Sequence, residues 1–194
     1  MLVQKKYDYL EKLLLIGDTK IGKSDIPNRL MKNSFNNENY TTFVVEFFVF
    51  TKVLSNTIFK CKLWDTPGQI RFRSIINVYL RLRSLSVIIL CFDITQKSTF
   101  ISLEEHMKTI KELVKTNHFI ILLGTKGDLN NERQVSLEEI NEYAKKNQLS
   151  YFECSSKTGK NVHEAFLFIL RNILNTNALT TEKTEKVQFV KQIN

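Results

Sequence analysis

The chain alternates between two apolar periods. Short strand-like runs occur at Lys12–Ile16, Phe43–Phe50, Thr57–Trp64, Ser86–Phe92, Phe119–Leu123 and Leu149–Cys154. Leu54-Ser55-Asn56 reads as a tight connection between the second and third runs, so those two strands are expected to pair antiparallel. Helical patterns separate the others, which is the signature of crossover units feeding a parallel sheet. Leu103, Met107, Ile110 and Val114 recur at i, i+4, i+7 and i+11 and form one apolar stripe. Ser136-Leu-Glu-Glu139 is a capping box that predicts a helix through about Lys146, and Asn161-Val-His-Glu164 repeats the device before Phe166, Ile169, Leu170, Ile173 and Leu174. These stripes read as core-facing packing, and His163 reads as a surface residue of a first helical turn. From Asn175 the periodicity ends in a polar run. The expectation is an α/β domain over residues 1–174, with a six-stranded, mostly parallel sheet, one antiparallel strand and about five flanking helices. Residues 175–194 read as a flexible tail.

A chain of 194 residues, 43% hydrophobic and 25% charged, fits one ordinary globular domain. No apolar run approaches the roughly 18 residues needed to span a bilayer. The first residues contain no apolar core of a secretory signal, so the cytoplasm or a membrane surface facing it is the expected location. Cys61, Cys91 and Cys154 are widely spaced and odd in number, which reads as buried reduced thiols rather than a disulfide or zinc framework. The net charge of +8 is spread along the chain without a dense basic block or nucleic-acid motif, so no nucleic-acid partner is expected.

Glycine use changes the picture. The chain has six glycines, and all lie in short segments able to touch a nucleotide. Residues 17–24 read G-D-T-K-I-G-K-S, satisfying G-x-x-x-x-G-K-[ST] between a strand and a helical segment. Successive N–H groups of such a loop form an anion nest, and the next helix N-terminus adds partial positive charge. Asp18, Thr19, Lys20, Ile21 and Gly22, with Lys23, Ser24 and Asp25 after them, are therefore phosphate-binding candidates. Lys23 is placed to reach the β/γ-phosphates and Ser24 to ligate Mg²⁺. The strand at Thr57–Trp64 delivers Asp65-Thr-Pro-Gly68 to the same edge. Asp65 can hold Mg²⁺ through water, Gly68 can offer its N–H to a γ-phosphate, and Gln69 can orient an attacking water.

Two further loops point to the base. Thr125-Lys126-Gly127-Asp128 follows a strand and supplies a carboxylate able to accept from guanine N1–H and its exocyclic amine. Ser155-Ser156-Lys157 follows another strand and offers a backbone N–H to guanine O6. Four loops at strand ends on one edge of an α/β sheet are where such folds bind ligands.

This set of motifs resembles the Ras superfamily and, within it, the Rab family of vesicle-traffic GTPases. The likeness runs from Tyr7-Asp8-Tyr9-Leu10 to about Leu174. It includes Lys12-Leu-Leu-Leu-Ile-Gly-Asp18, Trp64-Asp-Thr-x-Gly-Gln69, Arg71-Phe-Arg-Ser-Ile75, Asp93-Ile94-Thr95 and Glu153-Cys-Ser-Ser-Lys157. The resemblance implies that Phe35 packs on the guanine and that Thr42 joins Ser24 on Mg²⁺ when GTP is bound. It implies GTP and GDP as ligands, slow GTP hydrolysis with Gln69 and Lys23 as catalytic residues, and a role in vesicle trafficking. Effectors, exchange factors and GTPase-activating proteins would read residues 41–47 and 68–79, which order around the γ-phosphate.

Departures accompany the likeness. Lys20 stands where relatives carry a small residue. Pro27 lies early in the helix after the phosphate loop, where a kink or delayed start is expected. Pro67 replaces alanine, Thr125 replaces asparagine, Val44 replaces glycine, Ile70 replaces glutamate, and Leu82-Arg83 replace Gly-Ala. No arginine finger is evident in cis. No cysteine follows Cys154, so a prenyl anchor for peripheral attachment to the cytosolic face of endomembranes would have to lie beyond this sequence or be absent. Pro67, Ile70 and the altered switches motivate an alternative, a GTP-binding interaction scaffold impaired in turnover. A preference for ATP is disfavoured by Asp128 and the Ser155–Lys157 loop.

Overall fold

A computed structural model describes residues 7–35, 42–82, 84–114 and 118–191, with side chains described as far as Thr176. Six strands form one sheet: β1 (Tyr9–Ile16), β2 (Glu46–Leu54), β3 (Thr57–Asp65), β4 (Val87–Asp93), β5 (Phe119–Thr125) and β6 (Ser150–Glu153). Their order is β2-β3-β1-β4-β5-β6, with β2 antiparallel to β3 and every other pairing parallel. The helices are α1 (Asp25–Lys32), α2 (Arg73–Leu80), α3 (Lys97–Ile101), α4 (Leu103–Leu113), α5 (Leu137–Asn147) and α6 (Val162–Lys191).

The central strands β4 and β5 and the last four residues of β1 are apolar on both faces because helices cover both. Leu13, Leu15, Cys61, Leu63, Ile89 and Leu123 point to the side filled by Ile26 and Leu30 of α1 and by Phe166, Ile169 and Leu170 of α6. Leu14, Ile16, Ile88, Leu90 and Leu122 point to the other side, filled by Ile76, Met107, Ile110 and Ile140. Continuous apolar strands of this kind are the mark of a sheet buried on two faces. The three cysteines are free and buried. Burial pushes the Cys61 and Cys154 thiols up to about 12, so they stay protonated and act as small apolar side chains.

The β2–β3 turn is tight because Ser55 and Asn56 both take left-handed φ values, 48° and 61°. Two successive positive φ angles match the twist of the flanking strands. β2 begins at Glu46 rather than at Phe43. In the ladder Glu46 faces Asp65, so residues 43–45 would have to pair with the segment containing Pro67, which has no N–H to give. Phe43 and Val44 consequently stay outside the sheet, 57% and 73% exposed.

The Ser136–Glu139 capping box forms in full: the Glu139 N–H donates to Ser136 Oγ (3.2 Å) and the Ser136 N–H donates to Glu139 Oε2 (3.1 Å). Its expected repeat at Asn161 does not. Asn161 sits at φ 59°, and its side-chain amide donates instead to the Glu153 carbonyl at 2.8 Å, tying α6 to β6. Pro27 neither kinks nor delays α1, which starts immediately after Ser24 with Pro27 buried as its third residue. First-turn N–H groups have no helical partner, so proline costs little there. Among the described side chains of α6, Ile173 and Leu174 are the last apolar ones packed on the core, and its backbone continues helical to Lys191 through the segment read as a tail. Residues 192–194 lie outside the described residues.

Candidate functional site

The parallel strands all end at one edge, and the loops following β1, β3, β5 and β6 meet there. Gly17 and Gly22 open the first loop with φ values of 149° and 83°. A Cβ on Gly17 would lie 2.3 Å from the Cys91 carbonyl oxygen, so the loop can pass β4 only as glycine. Lys20 also takes a left-handed φ of 62° and is exposed, whereas the Ile21 side chain is fully buried in the core.

Lys23 turns back into this loop. Its ammonium donates to the Gly17 carbonyl (3.0 Å) and the Asp18 carbonyl (2.6 Å) while only 5% of the residue is exposed. Burial pulls its proton affinity below that of an ordinary lysine, and the nearby Asp65 carboxylate opposes that shift. Two of its three N–H groups are occupied, so one is left for an anion.

Beside it, Ser24 Oγ, Thr42 Oγ1 and Asp65 converge. Ser24 Oγ lies 2.7 Å from Thr42 Oγ1 and donates to Asp65 Oδ2 at 2.5 Å. Asp65 is fully buried, and its Oδ1 has no hydrogen-bond partner among the described residues. Burial raises this carboxyl to about 6, against the opposing hydrogen bond from Ser24 and charge of Lys23. Among the described residues no three His, Cys, Asp or Glu side chains form a metal cluster. An oxygen-only set of two hydroxyls and one orphaned carboxylate suits a hard divalent cation that keeps waters and takes phosphate oxygens, as Mg²⁺ does.

Gly68 lies directly on the phosphate loop. A Cβ added there would fall 2.2 Å from the Asp18 carbonyl carbon and 2.3 Å from the Thr19 nitrogen. Gln69 precedes a short 3-10 turn at Ile70–Phe72, and its side chain makes no hydrogen bond among the described residues. On the outer side Trp64 stands between Phe47 and Tyr79, with ring centroids 5.6 and 5.7 Å away. Arg71 sits 6.0 Å from the Phe43 ring and 4.8 Å from the Phe72 ring. Ile70 and Val78 are 74% and 60% exposed, so the two expected switch segments share an aromatic, apolar surface. Thr41 lies outside the described residues; Phe35 is half-buried at the end of the segment following α1.

Two hydroxyls join the remaining loops. The Thr125 hydroxyl donates to the Ile21 carbonyl at 2.6 Å and lies 3.0 Å from the Phe92 carbonyl, linking β5, β4 and the phosphate loop. Ser155, fully buried, donates to Asp128 Oδ1 at 2.6 Å. Lys126 pairs with Asp93 at 2.6 Å, and the Gly127 N–H donates to the Cys154 carbonyl at 2.9 Å. Asp25 opens α1, with its carboxyl raised by burial.

Three participants escaped the motif reading. His106 Nε2 lies 3.1 Å from Asp18 Oδ1, and Ser102 donates to Asp18 Oδ2 at 2.6 Å, so α4 braces the phosphate loop. Burial pushes the Asp18 carboxyl up, but the bonds from His106 and Ser102 outweigh it and leave it below its ordinary value. The third, Arg29, reaches from α1 to the Ser156 and Lys157 carbonyls. These pairs are 84, 88, 127 and 128 residues apart, beyond the reach of local spacing.

The sheet order and the loops at its edge define a P-loop α/β domain of the small-GTPase type. The Ras family model matches residues 12–175. Similar proteins include GTP-binding protein ypt3 of Schizosaccharomyces pombe, 40% identical over 173 residues that cover 89% of this chain and 80% of the yeast protein. Ras-related protein Rab-13 of Bos taurus is 38% identical over 170 residues, 88% of this chain and 83% of its own. Ras-related protein Rab-11A of Dictyostelium discoideum is 37% identical over 170 residues, 88% and 78% of the two chains. The chain belongs to the Ras family, as a divergent member of its Rab group of small GTPases.

Proposed function

We propose that this chain is an Mg²⁺-dependent guanine-nucleotide switch that binds GTP, hydrolyses it slowly and acts in intracellular vesicle traffic. The observation carrying the reading is the convergence of Ser24, Thr42 and the orphaned Asp65 oxygen beside the buried Lys23 ammonium. Ser24, Thr42 and Asp65 would hold Mg²⁺, which when bound supplies charge neutralisation to the phosphates. The third N–H of Lys23 meets the β/γ-phosphates, and the N–H groups of residues 18–23 line the anion nest. Gly68 approaches the γ-phosphate side of the loop, and Gln69 orients the attacking water. Asp128 accepts from the guanine edge, with Thr125 and Lys126 holding its loop and Ser155–Lys157 facing O6.

Partners that sense the nucleotide would engage the surface formed by Phe43, Phe47, Trp64, Ile70 and Tyr79. The names of the relatives support GTP as ligand and a Rab-type role. Among the described residues no helix is long and apolar enough to cross a membrane, which is compatible with action at the cytosolic face of endomembranes.

Single-turnover conversion of bound GTP to GDP with Mg²⁺, beside a Gln69→Leu variant, tests the reading. Conversion that slows at least tenfold in the variant is expected. A second reading, a GTP-binding scaffold impaired in turnover, draws on the buried Pro67 and the exposed Ile70 flanking Gly68 and Gln69. GTP retained unconverted in both proteins would favour it, and failure of either to bind GTP would reject both readings.

A further inference from the structure

Arg29 spends its whole guanidinium on carbonyls and one amide oxygen. Nε donates to the Ser156 carbonyl and Nη2 to the Lys157 carbonyl, both at 2.6 Å. Nη1 donates to the Asn33 carbonyl (2.8 Å) and side-chain oxygen (3.2 Å). Asn33 closes α1 in the left-handed region, φ 50°, with its own N–H on the Arg29 carbonyl. The side chain is thus fixed at its root and at its fork. A planar fork of fixed geometry can hold two adjacent carbonyls in one orientation, which a flexible point charge cannot.

Pinning a carbonyl also aims an amide. A trans peptide is planar, so turning the Ser156 C=O toward α1 turns the Lys157 N–H the opposite way. The other amides of this loop are already used. The Ser155 N–H donates to the Lys160 carbonyl (3.0 Å), the Gly159 N–H to the Ser155 carbonyl (2.8 Å) and the Thr158 N–H to Ser155 Oγ (3.1 Å). The N–H groups of Ser156 and Lys157 make no bond among the described residues. Ser155 Oγ in turn donates to Asp128.

We propose that Arg29 is the positioning residue of the base subsite, holding the Ser156–Lys157 peptide so that its free Lys157 N–H faces an oxygen acceptor on a 6-oxopurine. Because α1 starts right after Lys23 and Ser24, the same contact ties base recognition to the phosphate loop. This inference rests on the guanine-nucleotide reading and deepens it.

The experiment uses the full chain, with Arg29→Ala, Arg29→Lys and Arg29→Gln, and measures competition of GDP and ADP against a fluorescent GDP analogue. ADP carries no 6-oxo group, so loss of the aimed amide weakens GDP and leaves ADP where it was. Arg29→Ala should narrow the preference for GDP over ADP by about tenfold, the loss of roughly one neutral hydrogen bond's worth of affinity. Arg29→Lys should recover only part. Arg29→Gln, which keeps two of the three stem methylenes and an amide donor, serves where the alanine variant does not fold, and should fall in between. GDP and ADP weakened by the same factor, or a preference left intact, would overturn the role of Arg29. A wild-type chain with no preference for GDP would overturn the guanine reading itself.

Discussion

The Ser24 hydroxyl donates to Asp65 Oδ2 across 2.5 Å, while the other oxygen of that carboxylate is buried without a partner. One oxygen is held by the chain and the other is left for something the chain does not supply. Desolvating an ionised carboxylate is costly unless it is paired, and here burial raises Asp65 from an ordinary 3.8 to about 6.

That shift fixes a sign. A carboxyl whose folded value lies above its unfolded value stabilises the fold below the unfolded value and loses that contribution as pH rises through the folded one. In chelator, stability should therefore fall between pH 4 and about 6 by up to roughly 3 kcal/mol from this group, about two pH units at 1.36 kcal/mol each. Asp65→Asn should flatten that slope, and Mg²⁺ should stabilise the wild type at pH 7 more than at pH 5. Denaturant titrations across this range would show it. A wild-type profile identical to that of the variant would mean that Asp65 is not the strained group.

Lys23 bears on ligand retention. Its buried ammonium closes the phosphate loop on the Gly17 and Asp18 carbonyls, so Lys23→Ala removes both a loop clamp and the cation facing the anion. GTP and GDP affinity should drop by at least about a hundredfold, as expected for a desolvated charge pair of several kcal/mol. Equilibrium binding at fixed salt would measure it; unchanged affinity would displace the phosphate site from residues 17–24.

Gly68 and Gly127 make a matched pair for testing close approach. A Cβ on Gly68 meets fixed backbone at 2.2 and 2.3 Å, whereas the nearest atoms to one on Gly127 are the Glu153 Cγ at 3.0 Å and the Cys154 carbonyl oxygen at 3.3 Å, which need give only a few tenths of an ångström. Gly68→Ala should cost about 1–3 kcal/mol of stability and Gly127→Ala clearly less. Equal melting temperatures for the two variants would show that the loop after β3 shifts freely away from residues 18 and 19.

The four strand-end loops were legible in position because each is local: a glycine pattern, a strand end and a side chain within a few residues. The Leu54–Asn56 turn and the Ser136–Glu139 cap were legible for the same reason. The start of β2 was not, because the limit on pairing is Pro67, just past the end of the partner strand. Asn161 misled because a residue of capping type spent its amide on Glu153, a tertiary partner eight residues back. Arg29, Ser102 and His106 carried no signal at all. Arg29 and His106 are ordinary helix residues by spacing and Ser102 is the joint between α3 and α4, and each partner is set by which helix the fold lays beside which loop.

Thr125 carries the last prediction, since it replaces an asparagine expected from the family and yet is 97% removed from solvent by its neighbours' packing, with 3% relative exposure. Its hydroxyl is satisfied by the Ile21 carbonyl at 2.6 Å, with Phe92 in reach at 3.0 Å. Valine has nearly the same shape without the hydroxyl, so Thr125→Val isolates the hydrogen bond from packing. Leaving a buried carbonyl unpaired costs about 1–3 kcal/mol, and the denaturation midpoint should fall with an unchanged denaturant slope. The same bond anchors residue 21 of the phosphate loop to the end of β5, which leads to Asp128, so GDP should also leave faster. Thr125→Ser keeps the hydroxyl and should restore release more completely than its smaller volume restores stability. A valine variant matching the wild type in both midpoint and GDP release would show that the loop is held by the Ile21 side chain in the core and not by this hydroxyl.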